Sequence, residues 1–260
     1  MVRSEAETGA VGRLPDSMRR FQVLIGLSLS VLICWAASAC VGSSEETLTE
    51  FKIDAKNFPD PTRIDNKYHP LMPGTRYFFE GVKHGVPFRT ETVVSDQTKV
   101  VNGITTRVVN DTDYGAGQVV ETTEDWFAQD DKGNVWYFGE YATQYENGQV
   151  KGHEGSWESG VQGARAGVVM LGDPKTGTPR YRQEYRKGIS EDTGKVVSVS
   201  DNLCVPYKCF NGNVLVIDET SPVEPGVVER KWYSPGVGMI RWDITKGEPE
   251  HGDLVRVVAP

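Results

Sequence analysis

The residues whose types and spacing could do chemistry form two acidic groups, one of them around a histidine. His153 lies in GHEGSWESG with Glu154 and Glu158 beside it, and Glu140 ends the upstream run NVWYFGE. An imidazole close to carboxylates is a general acid–base set. The plainer alternative is a solvated histidine on a β-turn. Asp111 and Asp113 open a DxDxG run like the start of a calcium loop. Glycines and then valines follow where that loop needs further oxygens and a bidentate glutamate, so they are weak calcium candidates and no metal site is expected. Glu121, Glu124, Asp125, Glu140, Glu154 and Glu158 would meet in an acidic cleft if their strands are adjacent. Their alternative is the solvent face of hairpins. The sequence holds no GxSxG, P-loop, dinucleotide fingerprint, HExxH or CxxC, and nothing in it requires a cofactor.

Two further groups concern structure and binding. Cys204 and Cys209 flank VPYK, in which Pro206 suits the first central position of a turn. In an oxidising compartment such a pair is expected to form a disulfide; free thiols or a functional site are the alternatives. Trp126 precedes Trp136 by ten residues across DDKG, and Trp232 precedes Trp242 by ten across PGVG. In hairpins centred on those turns each pair would be near neighbours on one face. With Trp157 they are core residues or the lining of an aromatic pocket.

The elements that must position these residues are strands. TRYFFEGV, VPFRTETVVSD, TKVV and ITTRVVND follow one another, the last two joined by Asn102-Gly103, a strong hairpin signal. QVVETTEDWFAQD, NVWYFGEYATQY, QVKGHEGSW, RYRQEYR, KVVSVSD, NVLVIDETS, VVERKWYS, GMIRWDI and DLVRVV continue the pattern. Only residues 160–171 could hold a short helix. About twelve strand candidates over residues 75–260 predict one antiparallel all-β domain, a curled or barrel-like sheet, with a two-sheet sandwich as the alternative. Pro59, Pro61, Pro70 and Pro73 make residues 41–74 an extended lead-in.

The N-terminus reads as an export signal. Arg19 and Arg20 precede an apolar run over residues 21–37 that ends at Ala37-Ser38-Ala39-Cys40. Residues 1–39 are the expected signal peptide, with Met18 the better start. The chain is 260 residues long with 28 basic and 36 acidic side chains, net −8. Without residues 1–39 it keeps 24 basic against 33 acidic residues. That balance argues against non-specific nucleic-acid binding, which needs clustered Lys and Arg.

Two resemblances add to this. Ala-Ser-Ala-Cys resembles the lipobox of bacterial lipoproteins, which implies that Cys40 carries a diacylglycerol and anchors the chain to a membrane through a polar tether, VGSSEE. Val41, where an inner-membrane retention signal has aspartate, implies the periplasmic face of the outer membrane in a cell that has one. Cleavage by ordinary signal peptidase after Ala39 is the alternative. The runs EDWFAQDDKGNVWYFGE, EGSWESG and ERKWYSPGVGMI resemble a group of bacterial exported β-rich proteins that share WYFGE and YxPGVG motifs, over roughly residues 65–245. The hairpin-after-hairpin layout is loosely similar to the lipoprotein-localisation carriers, which are curved sheets with an apolar cavity.

Three functions follow as expectations. The first is a non-catalytic envelope lipoprotein holding an apolar or aromatic small ligand in a curved sheet. The second is a scaffold subunit docking to an envelope protein. The third is a hydrolase or lyase using His153 with Glu140, Glu154 or Glu158.

Overall fold

The computed structural model describes residues 47–260. The expected signal peptide, Cys40 and the start of the tether lie outside the described residues.

The first meander runs through β1 (Arg76–Lys83), β2 (Val86–Val101), β3 (Ile104–Gly115), β4 (Gln118–Gln129) and β5 (Val135–Glu146). Its tight turns are written in the sequence. His84-Gly85, Asn102-Gly103 and Ala116-Gly117 all take positive φ at both positions, as does Asn147-Gly148 after β5. That is the hairpin geometry whose twist matches the strands it joins. The longer turn from β4 to β5 is organised by the buried carboxylate of Asp130. Its Oδ1 accepts from the backbone N–H groups of Lys132 and Asn134, and its Oδ2 accepts from Trp136 Nε1 at 2.9 Å.

Short strands follow: β6 (Gln149–Gly152), β7 (Trp157–Glu158), β8 (Arg165–Met170), β9 (Tyr181–Arg182) and β10 (Glu184–Tyr185). The stretch 160–171, where a short helix was conceivable, contains β8 instead. Ala166, Val168 and Met170 are almost wholly buried there, and β-branched residues fit a pleated, buried strand. The second meander is β11 (Thr193–Val205), β12 (Lys208–Thr220), β13 (Val228–Ser234), β14 (Gly238–Lys246) and β15 (His251–Val258).

All fifteen strands belong to one sheet, ordered β10-β8-β5-β4-β3-β2-β1-β15-β14-β13-β12-β11-β9, with β6 and β7 also on β5. The architecture is the curled antiparallel sheet, with three strands more than the sequence suggested. VPFRTETVVSD and TKVV run together as β2, QVKGHEGSW splits into β6 and β7, RYRQEYR splits into β9 and β10, and β8 stands where no strand was expected. First and last long strands pair, Arg76 opposite Val258. The hydrogen-bonded path is not closed on itself. Its two ends, β9 and β10, are neighbouring pieces of one segment, 181–185, so the chain itself bridges the gap. Two glycines make room for it. A Cβ on Gly167 of β8 would lie 2.6 Å from the Gln183 carbonyl, and one on Gly194 of β11 would lie 2.9 Å from the Tyr181 ring.

The lead-in is packed onto one end of the sheet. Thr49 forms a parallel bridge with Tyr181, covering the free side of β9. Asn57 and Pro61 accept from the N–H groups of Asp131 and Gln129, and Lys67 accepts from Gly236. Phe58, Ile64, Tyr68 and Leu71 join the main apolar core. At the other end of the second meander, Cys204 and Cys209 form a disulfide across the pair that flanks the Pro206-Tyr207 turn.

Candidate functional site

Inside the curl, beyond the apolar plug, lies a cavity of about 360 Å³. His69, Pro70 and Leu71 of the lead-in contribute one side, with aromatic walls from Tyr77, Phe79, Phe127, Tyr137 and Tyr233. Phe127 and Tyr137 stack with ring centres 4.9 Å apart. Between these walls stand six carboxylates, Asp111, Asp125, Glu140, Glu184, Asp192 and Glu219, with a single cationic side chain, Lys231.

Strand register explains how they meet. Tyr77 pairs with Thr92, Thr92 with Asp111, and Val109 with Asp125, so alternate residues of β1 to β4 share one face. Glu140 reaches that face through a bulge. Phe127 pairs with Tyr137 but Asp125 pairs with Glu140, so β5 carries one residue more than β4 between these pairs. Gly139 supplies it, at φ 131°, and a Cβ there would stand 2.2 Å from the Trp157 carbonyl oxygen. An unbulged β5 would pair Asp125 with Gly139 and turn Glu140 to the opposite face. The glycine of WYFGE therefore places the glutamate that follows it.

The polar partners inside are uneven. Tyr137 donates to Asp125 Oδ1 at 2.5 Å, and Ser190 donates to Glu184. Lys231 Nζ lies 2.5 Å from Glu219 and 3.3 Å from Glu229, so the one lining cation is already shared by two carboxylates. Three buried polar atoms on the lining have no partner: His69 Nε2, Asp111 Oδ1 and Gln183 Oε1. Gln183 is 3% exposed, and its Nε2 donates to Glu219 Oε1 and approaches the Val169 carbonyl, which fixes the amide with its oxygen unmatched.

Burial pushes Asp111 up to about 7, against a hydrogen bond from Thr92 and helped by the charges of Asp113 and Glu121. Burial likewise takes Glu140 to about 7, and it raises Asp125 and Glu184 well above the carboxylate range. Burial, with some help from Lys231, lowers His69 to about 4, so its imidazole is neutral.

The residues expected to do chemistry are divided by this geometry. Glu140 and Asp111 line the cavity; Asp113 and Glu121 pair with each other on the same face, nearer the loop 116–117. Glu124, Glu154 and Glu158 are not in the lining. Glu158 binds Lys99 at 2.7 Å. His153 stacks on exposed Tyr141 at 4.7 Å with Nδ1 2.9 Å from the Ala142 carbonyl. The acid–base set around His153 is thus not assembled, because β5 sends Glu140 inward while His153 follows β6 outside. Among the described residues no group of three or more His, Cys, Asp or Glu side chains is arranged to hold a metal ion, Asp111 and Asp113 included.

The five candidate tryptophans, Trp126, Trp136, Trp157, Trp232 and Trp242, are absent from the lining. Trp136 packs against Phe51 and Phe58 of the lead-in, Trp157 supports Tyr137 edge-on at 5.4 Å, and Trp126 carries Lys99 over its ring. Trp232 and Trp242 do not share a face. Tyr233 pairs with Met239 but Trp232 with Arg241, and the extra residue in β14 sets Trp242 opposite Lys231 instead. Trp242 faces Phe88 and stands over Gly252.

Against known proteins, no family model matches the chain, and no curated protein matches it. Two solved structures are similar to it. One is a protein from Bacteroides fragilis NCTC 9343 described as exported and of YmcC-like fold, at 13% identity and a TM-score of 0.44. The other is from Parabacteroides distasonis ATCC 8503 and described as a lipoprotein, at 12% identity and a TM-score of 0.41. Each match covers 75% of this chain and 100% of the other.

Proposed function

We propose that this chain is an exported, lipid-anchored binding protein of the cell envelope whose curled sheet carries a small organic ligand. The observation that carries the binding role is the cavity itself. Its volume of about 360 Å³ falls within the roughly 300–1,000 Å³ typical of small-molecule sites, and it joins apolar and aromatic walls to a few convergent polar groups. Three unpartnered buried polar atoms on its lining support an occupant, since such atoms are costly to leave bare. Export and anchoring rest on the basic start, the apolar run and Cys40. Tyrosine and phenylalanine walls take the place of the tryptophans first considered.

Native mass spectrometry of the full chain, released from its membranes in mild detergent, tests the binding role. A copurifying small molecule is expected, lost on mild denaturation. Cys40→Ser tests the anchor: the protein is expected to leave the membrane fraction and lose incorporation of labelled fatty acid. Retention in that fraction without label would overturn lipidation at Cys40.

A further inference from the structure

We infer that the ligand is an organic cation, a protonated amine carried on an apolar or aromatic body. The inference rests on the cavity being the binding site proposed above and concerns the chemistry of its occupant. The lining offers acceptors in surplus. Six carboxylates face one lysine, and that lysine is bound to Glu219 and Glu229. Gln183, a lining residue 3% exposed, has a carbonyl oxygen without a partner, and Asp111 Oδ1 is bare. Neutral His69 does not supply a charge to offset them. An occupant must therefore bring hydrogen-bond donors and positive charge.

The walls select among cations. An ammonium group beside carboxylates with its body against Phe127, Tyr137 and Tyr233 combines charge pairing with attraction to ring faces. Pro70, Leu71, Phe79, Val169 and Met239 give the rest of the molecule an apolar surround. A bare metal ion would leave these walls unused, and the carboxylates are not grouped for one. Burial of like charges has already pushed Asp111 and Glu140 toward the protonated form. A cation entering between them favours ionisation again, so binding near neutral pH releases protons.

Calorimetric titration of the full chain with three congeners of one body tests this: phenethylamine, 2-phenylethanol and 3-phenylpropionate. The amine is expected to bind at least ten times more tightly than the alcohol, with the acid weaker still. Its heat should vary with buffer ionisation enthalpy in the sense of proton release. Glu140→Gln and Asp111→Asn, which keep shape and remove charge, should weaken the amine about tenfold, leave the alcohol unchanged and not lower the thermal midpoint. Equal binding of amine and alcohol, or amine binding untouched by both variants, overturns the cationic ligand and leaves the binding role standing. Calcium ions that bind and exclude the amine also overturn it. Failure of all three congeners to bind, with nothing copurifying, overturns both.

Discussion

At the scale of single residues, the cavity makes stability depend on pH in an unusual direction. The unfolded chain ionises its carboxyls near pH 4, whereas the fold keeps Asp113 protonated to about 6 and Asp111 and Glu140 to about 7. Between those limits the native state holds more protons than the unfolded one, so stability falls as pH rises from about 4 to about 7. His69 acts oppositely, since its folded value near 4 lies below the ordinary 6.5 and its contribution grows over that window. One imidazole does not reverse several carboxylates, with Asp125, Glu184, Asp192 and Glu229 shifted the same way. The thermal midpoint of the ligand-free protein is expected to be higher at pH 5.5 than at pH 8. Glu140→Gln should flatten the slope, and a midpoint that rises with pH would refute it. Lys231 is the counterpart. Lys231→Met leaves Glu219 and Glu229 without their cation and should cost about 3–5 kcal/mol at pH 8 by urea denaturation, and less at pH 5.5, where Glu229, already raised by burial, is closer to its neutral form.

At the scale of elements, one bulge decides what β5 contributes. Gly139 holds φ 131° and has the Trp157 carbonyl where a Cβ would stand. Gly139→Ala should therefore cost about 3 kcal/mol or more in a chemical denaturation experiment, and it should lose whatever binding depends on Glu140. Intact binding in a folded Gly139→Ala protein would show that Glu140 does not need the bulge. The same element shows what was legible beforehand. Strand content, tight turns and the Cys204 and Cys209 pairing are local, and alternation with Asn-Gly signals carries them. Facing is not local. Asp111 and Asp113, Glu121 and Asp125, or Glu229 and Lys231 recur with period two, as any solvent face does; only the curl of the sheet turns that face inward. Bulges hide the rest, since one extra residue brings Glu140 in and separates Trp232 from Trp242, and no turn signal marks either. His69 belongs to no motif, and Lys231 lies in ERKWYSPGVGMI with no catalytic pattern around it.

At the scale of the whole molecule, the curl is held at two joins of different kind. One is the segment 181–185, two short strands passing close over Gly167 and Gly194. Gly167→Ala puts a methyl group against the Gln183 backbone. It should cost about 1–3 kcal/mol, with amide exchange quickened in β8 and β10 while β1 to β3 keep their protection. Uniform loss of protection across all strands would mean that this join is not a separate weak point. The other join is the ladder of β1 with β15, from Arg76 opposite Val258 to Val82 opposite His251. Its partners are the first and last of the described strands, so of the described ladders it joins the residues furthest apart in sequence. Without β15, β1 keeps only β2 and β14 keeps only β13, and the free edge of each offers a row of bare N–H and C=O groups to another copy. Placing β15 covers both edges at once. A chain whose β15 is missing or misplaced is marked by its own exposed backbone as material for proteolysis or aggregation.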